Sequence, residues 1–221
     1  SAAWGYFDSV TANSELTKKR IVEKGLKNED EVEVINPGAE LIEEDGEMGD
    51  YFFYPSRFRR YKRQDLAIEA WKKADTGDFR LVLAGSGQEG EYLNELREMS
   101  DDSIEIRTDV PDEEWKELYR NSYAVMFLAE KEDWGIVPLE AGMYGKPVIA
   151  VNEGSPAETV KDCETGYLVD ADVDSVAERI KDLVYYREKA KEMGEKGREN
   201  ARQYSWENFR EKLEKKISET V

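Results

Sequence analysis

Two glutamates that flank a predicted helix start are the side chains of this chain best suited to chemistry. Glu132 and Glu140 have seven residues between them, and an apolar run before them predicts a buried strand. The backbone N–H groups of Gly135, Ile136 and Val137 are expected to point out of the helix N-terminus, which carries partial positive charge. An anion site flanked by two acids suits a ligand with both phosphates and hydroxyls, such as a sugar nucleotide.

The sequence around these acids, EDWGIVPLEAGMYGKPVIA, resembles the E-x7-E signature of the family 4 retaining glycosyltransferases. The spacing alone would be weak evidence among 50 acidic residues, but the surrounding pattern makes the resemblance specific. It implies the GT-B architecture of two Rossmann-like domains, with this motif in the C-terminal, donor-binding one. It also implies that Glu132 acts in catalysis by contacting the transferred sugar, and that Glu140 contacts the ribose. The alternative is a capped helix with two solvated acids.

A dense basic segment follows the predicted aromatic strand 51–54. Residues 55–63 hold five basic side chains in a chain of net charge −18, at a strand end where open α/β sheets bind ligands. The resemblance implies that Arg57 and Lys62 hold the donor diphosphate and stabilise its charge as it leaves. The family usually has glycine before this arginine, whereas Ser56 stands here. The other three arginines are expected to be solvated.

A glycine-rich turn at residues 85–90 supports a rival interpretation. It has the form G-x-G-x-x-G between a strand and a helix, with Glu105 near the place of a ribose-binding acid, and would suit a dinucleotide-dependent oxidoreductase. Glutamates at the helix start and the position late in the chain count against this. The resembled family also has a Gly-rich turn here, which implies that Gly85 lets the backbone approach the nucleoside. A simple tight turn remains an alternative.

Two further acidic patterns are predicted to cap helices. In the first, Ser155 is a candidate N-cap and Glu158 completes a capping box; the resembled family often has Gly-Gly-x-x-Glu there. In the second, residues 170–174 contain a D-x-D pattern directly before a helix predicted at 175–186. We therefore predict no metal site at this pattern and no cofactor beyond the nucleotide-sugar substrate.

Composition excludes several classes of function. A net charge of −18 disfavours nucleic acid as a partner, and the absence of histidine removes Ser-His-Asp and Cys-His catalysis. The single cysteine, Cys163, excludes an intrachain disulfide and indicates a reducing compartment. Neither a signal peptide nor a run long enough to span a bilayer is visible, so a cytoplasmic location is expected.

Strands and helices alternate from residue 51 to residue 151, and residues 112–120 are predicted to form a helix that presents Trp115, Leu118 and Tyr119 to the core. Before this region, a strand is predicted at residues 6–12 and a helix at residues 14–24, with Ser14 as its N-cap. The alternation of strands and helices predicts an α/β, Rossmann-like, doubly wound parallel sheet with helices on both faces, in three layers. The resemblance implies that residues 1–38 are a remnant of the acceptor domain and the hinge, and that 39–221 are the donor-binding domain with C-terminal helices. A whole acceptor domain would need roughly 150 residues, so the chain is expected to begin late.

The expected partners follow from this arrangement. They are a nucleotide-sugar donor and a missing acceptor-binding domain or partner chain. An acceptor at a membrane surface is one alternative for the third partner. An apolar stripe on the last predicted helix offers a face for self-association or for a second chain; it comprises Trp206, Phe209, Leu213 and Ile217. A non-catalytic subunit of a two-chain transferase is therefore a further alternative. The isolated chain is expected to be weakly active or inactive, and the sugar, base and acceptor stay open.

Overall fold

The computed structural model describes residues 9–40, 46–86 and 90–220. Its strands are β1 (Val10–Ala12), β2 (Val32–Val34), β3 (Tyr51–Pro55), β4 (Arg80–Gly85), β5 (Ile104–Thr108), β6 (Ala124–Phe127), β7 (Val148–Val151) and β8 (Gly166–Val169). Six of them form one parallel sheet in the order β5-β4-β3-β6-β7-β8, and β1 pairs in parallel with β2. The order reverses between β3 and β6, as in doubly wound folds.

Helices connect these parallel strands. They are α1 (Glu15–Glu23), α2 (Gln64–Lys73), α3 (Glu91–Met99), α4 (Asp112–Arg120), α5 (Ile136–Met143), α6 (Pro156–Thr159), α7 (Val173–Tyr185), α8 (Arg187–Ala201) and α9 (Trp206–Thr220). Within the described part of the chain, no helix combines the length and the apolar character that crossing a membrane requires.

The central strand β3 shows why the sheet is covered on both faces. All five of its residues are buried, because alternate side chains point into different apolar clusters. Phe52 and Tyr54 pack in the cluster that includes residues of α2, α3 and α7, whereas Tyr51 and Phe53 pack with residues of α4 and α5. The predicted three-layer α/β fold is therefore confirmed.

Local signals placed most elements within one or two residues. Helix α4 spans the predicted residues 112–120, and Asp172 caps α7 by accepting hydrogen bonds of 2.9 Å from the N–H groups of Asp174 and Ser175. These bonds give the D-x-D pattern the capping role predicted for it. Among the described residues, no cluster of three or more acidic or cysteine side chains could hold a metal ion.

The N-terminal unit β1-α1-β2 is a small parallel pair with its own helix. Ser14 caps α1 as predicted, since its hydroxyl accepts a 3.0 Å hydrogen bond from the N–H of Thr17. The strand predicted from residue 6 is described from Val10 onward, and residues 6–8 lie outside the described part. The chain then crosses to the large sheet past Gly38, where an added Cβ would come within 2.6 Å of the Trp206 backbone.

The last helix carries the predicted apolar stripe only half-covered. Ser205 caps it through a 3.1 Å hydrogen bond from the N–H of Asn208. Trp206 is 51% exposed and Ile217 56% exposed, whereas the two stripe residues between them are partly buried.

Helices α5 and α8 approach so closely that glycines must form their contact. A Cβ on Gly194 would overlap the carbonyl oxygen of Gly145, and one on Gly142 would lie 2.6 Å from the carbonyl oxygen of Gly197. A Cβ on Gly197 would meet no atom closer than 3.6 Å. The two glycines of α8, one helical turn apart, therefore face different steric demands. This contact holds α5, the helix after Glu132, against the body of the domain.

We expect Gly194→Ala to destabilise the fold and Gly197→Ala to stabilise it slightly. Overpacking costs about 1–3 kcal/mol, whereas replacing an unhindered helical glycine by alanine gains up to about 1 kcal/mol. Urea unfolding of both variants measures the two effects. Equal changes of the same sign would contradict the close helix contact.

Candidate functional site at the sheet switch point

The site lies where the order of the sheet reverses. After β3 the chain turns to β4 and β5, and after β6 it turns the other way to β7 and β8. The connections that leave β3 and β6 therefore separate and leave a crevice at the carboxyl ends of these two neighbouring strands. Open α/β sheets bind ligands at such a crevice. The predicted basic segment follows β3. The acidic loop, residues 130–135 with Glu132, follows β6.

Lys62 and Glu132 meet across this crevice. The backbone of Lys62 is fixed because its carbonyl accepts the hydrogen bond of the buried Tyr54 hydroxyl, which itself accepts a 2.8 Å bond from the N–H of Leu128. The Lys62 ammonium forms an ion pair with the Glu132 carboxylate and lies 5.2 Å from the centre of the Phe127 ring. Two residues predicted to touch different parts of one ligand thus contact each other in this structure.

Arg57 is exposed at the rim of the crevice. Its carbonyl accepts a 2.9 Å hydrogen bond from the buried Gln64 side chain, which fixes the backbone and leaves the guanidinium exposed. Gly85 lies behind this segment, and a Cβ there would overlap the carbonyl oxygen of Ser56. Gly85 is therefore required for packing of β4 against the basic segment, whatever further role it has. Residues 87–89 of the predicted glycine-rich turn lie outside the described part.

The expectation that the remaining arginines are solvated is wrong for Arg63, whereas Arg60 is exposed although it forms an ion pair. Arg60 pairs with Glu95 at 2.6 Å, and Arg63 pairs with Glu153 at 3.2 Å with its guanidinium largely covered. Arg63 also has a positive φ of 53°, which is uncommon for a residue with a side chain. Both acids are far from their arginines in the sequence, so local sequence patterns could not predict these two ion pairs.

The predicted free N–H groups at the start of α5 need correction. The N–H of Gly135 donates a 2.8 Å hydrogen bond to the Ser155 hydroxyl, and the N–H of Ile136 donates a 3.2 Å bond to the carbonyl of Trp134. Gly135 is also buried, whereas Ile136 and Val137 are partly exposed. The Gly135 amide is therefore already hydrogen-bonded within the protein, to the hydroxyl of Ser155 from another loop.

The capping box predicted at α6 is also wrong. Ser155 makes no capping bond, and both carboxylate oxygens of Glu158 accept hydrogen bonds of 3.0 Å from the N–H groups of Glu15 and Leu16. Glu158 thus caps α1, a helix more than a hundred residues earlier in the chain. The carboxylate prefers these partners because they are unsatisfied groups at a positive helix end.

Glu140 lies apart from the Lys62–Glu132 pair, on the side of α5 that faces α4. The Tyr119 hydroxyl donates a 2.7 Å hydrogen bond to its carboxylate, and the Tyr119 ring stacks on Tyr144. Burial raises the pKa of the Glu140 carboxyl, and the hydrogen bond from Tyr119 opposes that rise. Glu140 lines a cavity of about 400 Å³ between the two helices, together with Trp115. Sequence reasoning missed Tyr119, which it assigned to the core alone.

Glu105, the acid of the rival dinucleotide interpretation, is engaged elsewhere. It accepts a 2.7 Å hydrogen bond from Arg107, which lowers the pKa of its carboxyl. Its position on strand β5 sets it apart from the crevice between β3 and β6.

Comparison with known proteins identifies the class. The fold is that of solved glycosyltransferases: the structure of Anabaena Alr3699/HepE in complex with UDP and glucose matches 98% of this chain and 64% of its own, with a TM-score of 0.87 and 19% identity. A glycosyltransferase from Rickettsia africae ESF-5 matches with a TM-score of 0.88, 21% identity and coverage of 99% and 67%. This likeness shows the fold of a GT-B glycosyltransferase domain, as the resemblance implied.

The family follows from sequence. The family model described as "Glycosyl transferases group 1" matches residues 42–200, and the chain belongs to this family. The match spans both the Gly85 turn and the Glu132–Glu140 stretch.

Curated relatives are longer than this chain. An alpha-1,3/1,6-mannosyltransferase from Rhizomucor pusillus is 32% identical over 197 residues, covering 72% of this chain and 43% of the relative. An N-acetyl-alpha-D-glucosaminyl L-malate synthase from Bacillus anthracis is 33% identical over 159 residues, covering 70% and 40%. The chain thus spans about two fifths of these relatives.

The raised pKa of Glu140 predicts a pH-dependent stability difference. As pH rises past 4.5, the ordinary pKa of this group, the Glu140 carboxyl loses its proton in the unfolded chain while it still holds it in the folded chain. The native state then binds more protons, so the contribution of this group to stability falls as pH rises through the folded pKa. We expect Glu140→Gln to gain stability relative to the wild type as pH rises from about 5 towards 8.

Urea unfolding across this pH range measures the effect. Glu113→Gln is the matched control, since Glu113 lines the same cavity with an exposed side chain. A stability difference for Glu140→Gln that stays constant with pH would refute the burial argument.

Proposed function

We propose that this chain is the nucleotide-sugar-binding part of a retaining glycosyltransferase that transfers a hexose from a nucleoside-diphosphate sugar, such as a UDP- or GDP-sugar. The observation that carries the proposal is the contact of Lys62 and Glu132 at the switch point. This contact brings together the Lys62 ammonium, which suits phosphate, and the Glu132 carboxylate, which can accept hydrogen bonds from sugar hydroxyls. The two residues come from opposite sides of the crevice. Membership of the glycosyl transferases group 1 family supports the same assignment.

Each residue of the proposed site has a chemical role. Arg57 and Lys62 bind the diphosphate and stabilise the negative charge that grows on it as the sugar–phosphate bond breaks. Glu132 accepts hydrogen bonds from hydroxyls of the transferred sugar and orients it. Glu140 accepts hydrogen bonds from the ribose hydroxyls, with Tyr119 holding its carboxylate. Ile136 and Val137 contribute the positive end of α5.

The Lys62–Glu132 pair must open, or widen, when the donor binds. In this structure the two charges neutralise each other in a largely covered position, with Lys62 9% exposed. The donor replaces this pairing on both sides, since its phosphate takes the ammonium and its hydroxyls take the carboxylate. Exchanging one set of charge-assisted hydrogen bonds for another avoids leaving either charge unpaired.

The acceptor side of the proposal rests on the comparisons of length. Residues 1–38 are assigned to the end of an acceptor domain and its hinge, residues 39–221 to the donor domain, and the rest of the acceptor half to sequence outside this chain. The exposed ends of the α9 stripe, Trp206 and Ile217, offer a contact for that half or for a second copy. Three structures of the Anabaena protein contain UDP and glucose, UDP-glucose or UDP, which supports a nucleotide-sugar ligand. Cytoplasmic location remains part of the proposal.

Calorimetric titration with UDP, GDP, ADP and NAD at one salt concentration tests the proposal. We expect one diphosphate to bind, and Lys62→Met to weaken it about 10-fold to 100-fold, as for the loss of a charge-assisted hydrogen bond. Arg57→Ala, at an exposed position, should weaken it similarly without disturbing the fold.

Lys72→Met is the matched control. It removes the same charge from the last turn of α2, at the other end of that helix from Lys62. If Lys72→Met weakened binding as much as Lys62→Met, the effect would be one of net charge and the site would be wrong. Binding of NAD alone would favour the Gly85 turn instead.

A further inference from the structure

Ser155 occupies a position where its hydroxyl serves two backbone groups at once. The side chain is 0% exposed. Its oxygen accepts the hydrogen bond of the Gly135 N–H at 2.8 Å and donates its own proton to the carbonyl of Glu132 at 3.1 Å. The Ser155 N–H reaches the same Glu132 carbonyl at 3.0 Å. A hydroxyl can donate and accept simultaneously, so this one side chain closes both ends of the loop.

The segment around Ser155 also fits the loop sterically. Gly154 has a φ of +72°, and a Cβ there would lie 2.7 Å from the carbonyl oxygen of Glu132 and 2.9 Å from its nitrogen. A Cβ on Gly135 would come within 3.2 Å of the Pro156 ring. Residues 154–156 therefore lie directly against the backbone of residues 132–135, and the hydrogen bonds are part of a packed contact.

We propose that Ser155 is a positioning residue for Glu132. It holds the Glu132–Gly135 loop in the conformation that aims the Glu132 carboxylate into the crevice, and it uses the Gly135 amide for this purpose instead of leaving it for ligand phosphate. The effect on ligand binding rests on the proposed function, whereas the effect on the loop does not. Nucleotide sugar is the ligand class concerned, since Glu132 is assigned to the sugar.

Without the hydroxyl, the loop loses both hydrogen bonds that the Ser155 side chain makes to its backbone. Ser155→Ala leaves the buried Gly135 N–H without its acceptor, and the Glu132 carbonyl keeps only the backbone bond from residue 155. Arg57 and Lys62, which are proposed to bind the diphosphate, follow β3, a different element. Lys62 pairs with Glu132, but its backbone is held by the hydrogen bond from the Tyr54 hydroxyl to its carbonyl, which does not involve Ser155. The variant should therefore lose discrimination for the sugar and keep its affinity for the nucleotide alone.

Amide hydrogen exchange by NMR tests the loop. In Ser155→Ala the Gly135 amide should exchange about fivefold to tenfold faster, as for the loss of one buried hydrogen bond. Thr159→Val is the matched control, because it removes another buried hydroxyl of the same segment, which donates a 3.2 Å hydrogen bond to the Pro156 carbonyl. An unchanged Gly135 exchange rate in Ser155→Ala, or the same acceleration in Thr159→Val, would overturn the proposal.

Calorimetry separates positioning from general stability. The probes are UDP with UDP-glucose and GDP with GDP-mannose, and the readout is the affinity ratio of sugar nucleotide to nucleotide. Ser155→Ala should change this ratio in the same direction as Glu132→Gln and leave the nucleotide affinity within about twofold. If Ser155→Ala lost the same fraction of its affinity for the nucleotide and for the matching sugar nucleotide, the role of Ser155 would be structural only and the proposal would be overturned.

Failure of the proposed function would look different. If the wild-type chain bound none of these probes, or if Glu132→Gln left the ratio unchanged, the assignment of the donor site or of Glu132 would fall. The loop-holding role of Ser155 would then be decided by the exchange of the Gly135 amide.

Discussion

The ion pair between Lys62 and Glu132 is the interaction on which the arrangement of the site depends. It joins the ends of two neighbouring strands whose connections leave in opposite directions, so it crosses the crevice that the sheet topology creates. A largely covered ammonium is costly without a partner, and removing one member of a buried pair leaves the other uncompensated. The pair therefore keeps both charged side chains at the crevice, each compensated by the other.

Close backbone contacts are what allow these charges to be placed so accurately. Gly85 admits the Ser56 carbonyl behind the basic segment, and Gly154 admits the Glu132 backbone behind the acidic loop. Farther away, Gly194 admits the carbonyl of Gly145 and thereby fixes α5. In each case a side chain would push apart two elements that the site requires together. Several glycines of this chain thus act as spacers of minimal size.

The sequence was sufficient for features that depend on neighbouring residues. The limits of α4, the caps at Ser14 and Asp172 and the buried β3 strand all follow from local capping groups and apolar runs. It was insufficient where a polar group had a choice of partners. Glu158 has a local capping option and takes a distant helix instead, and an interior Ser155 takes the amide that local reasoning left free. Tertiary packing decides such competitions. The Gly135 N–H is buried and costly to leave without an acceptor, and the N–H groups at the start of α1 have no partner within their own helix.

The outcome of that competition ties the N-terminal unit to the site. The N–H groups of the first three residues of α1 are all satisfied, two by Glu158 and the third by Ser14. Arg20 of the same helix pairs with Asp133, next to Glu132. Glu158 belongs to the same segment as Ser155, which holds the acidic loop. Helix α1 therefore contacts that loop directly through Arg20 and is linked to it indirectly through Glu158. A displacement of α1 from the large sheet must break the bonds to Glu158, and it therefore acts on the segment that positions Glu132.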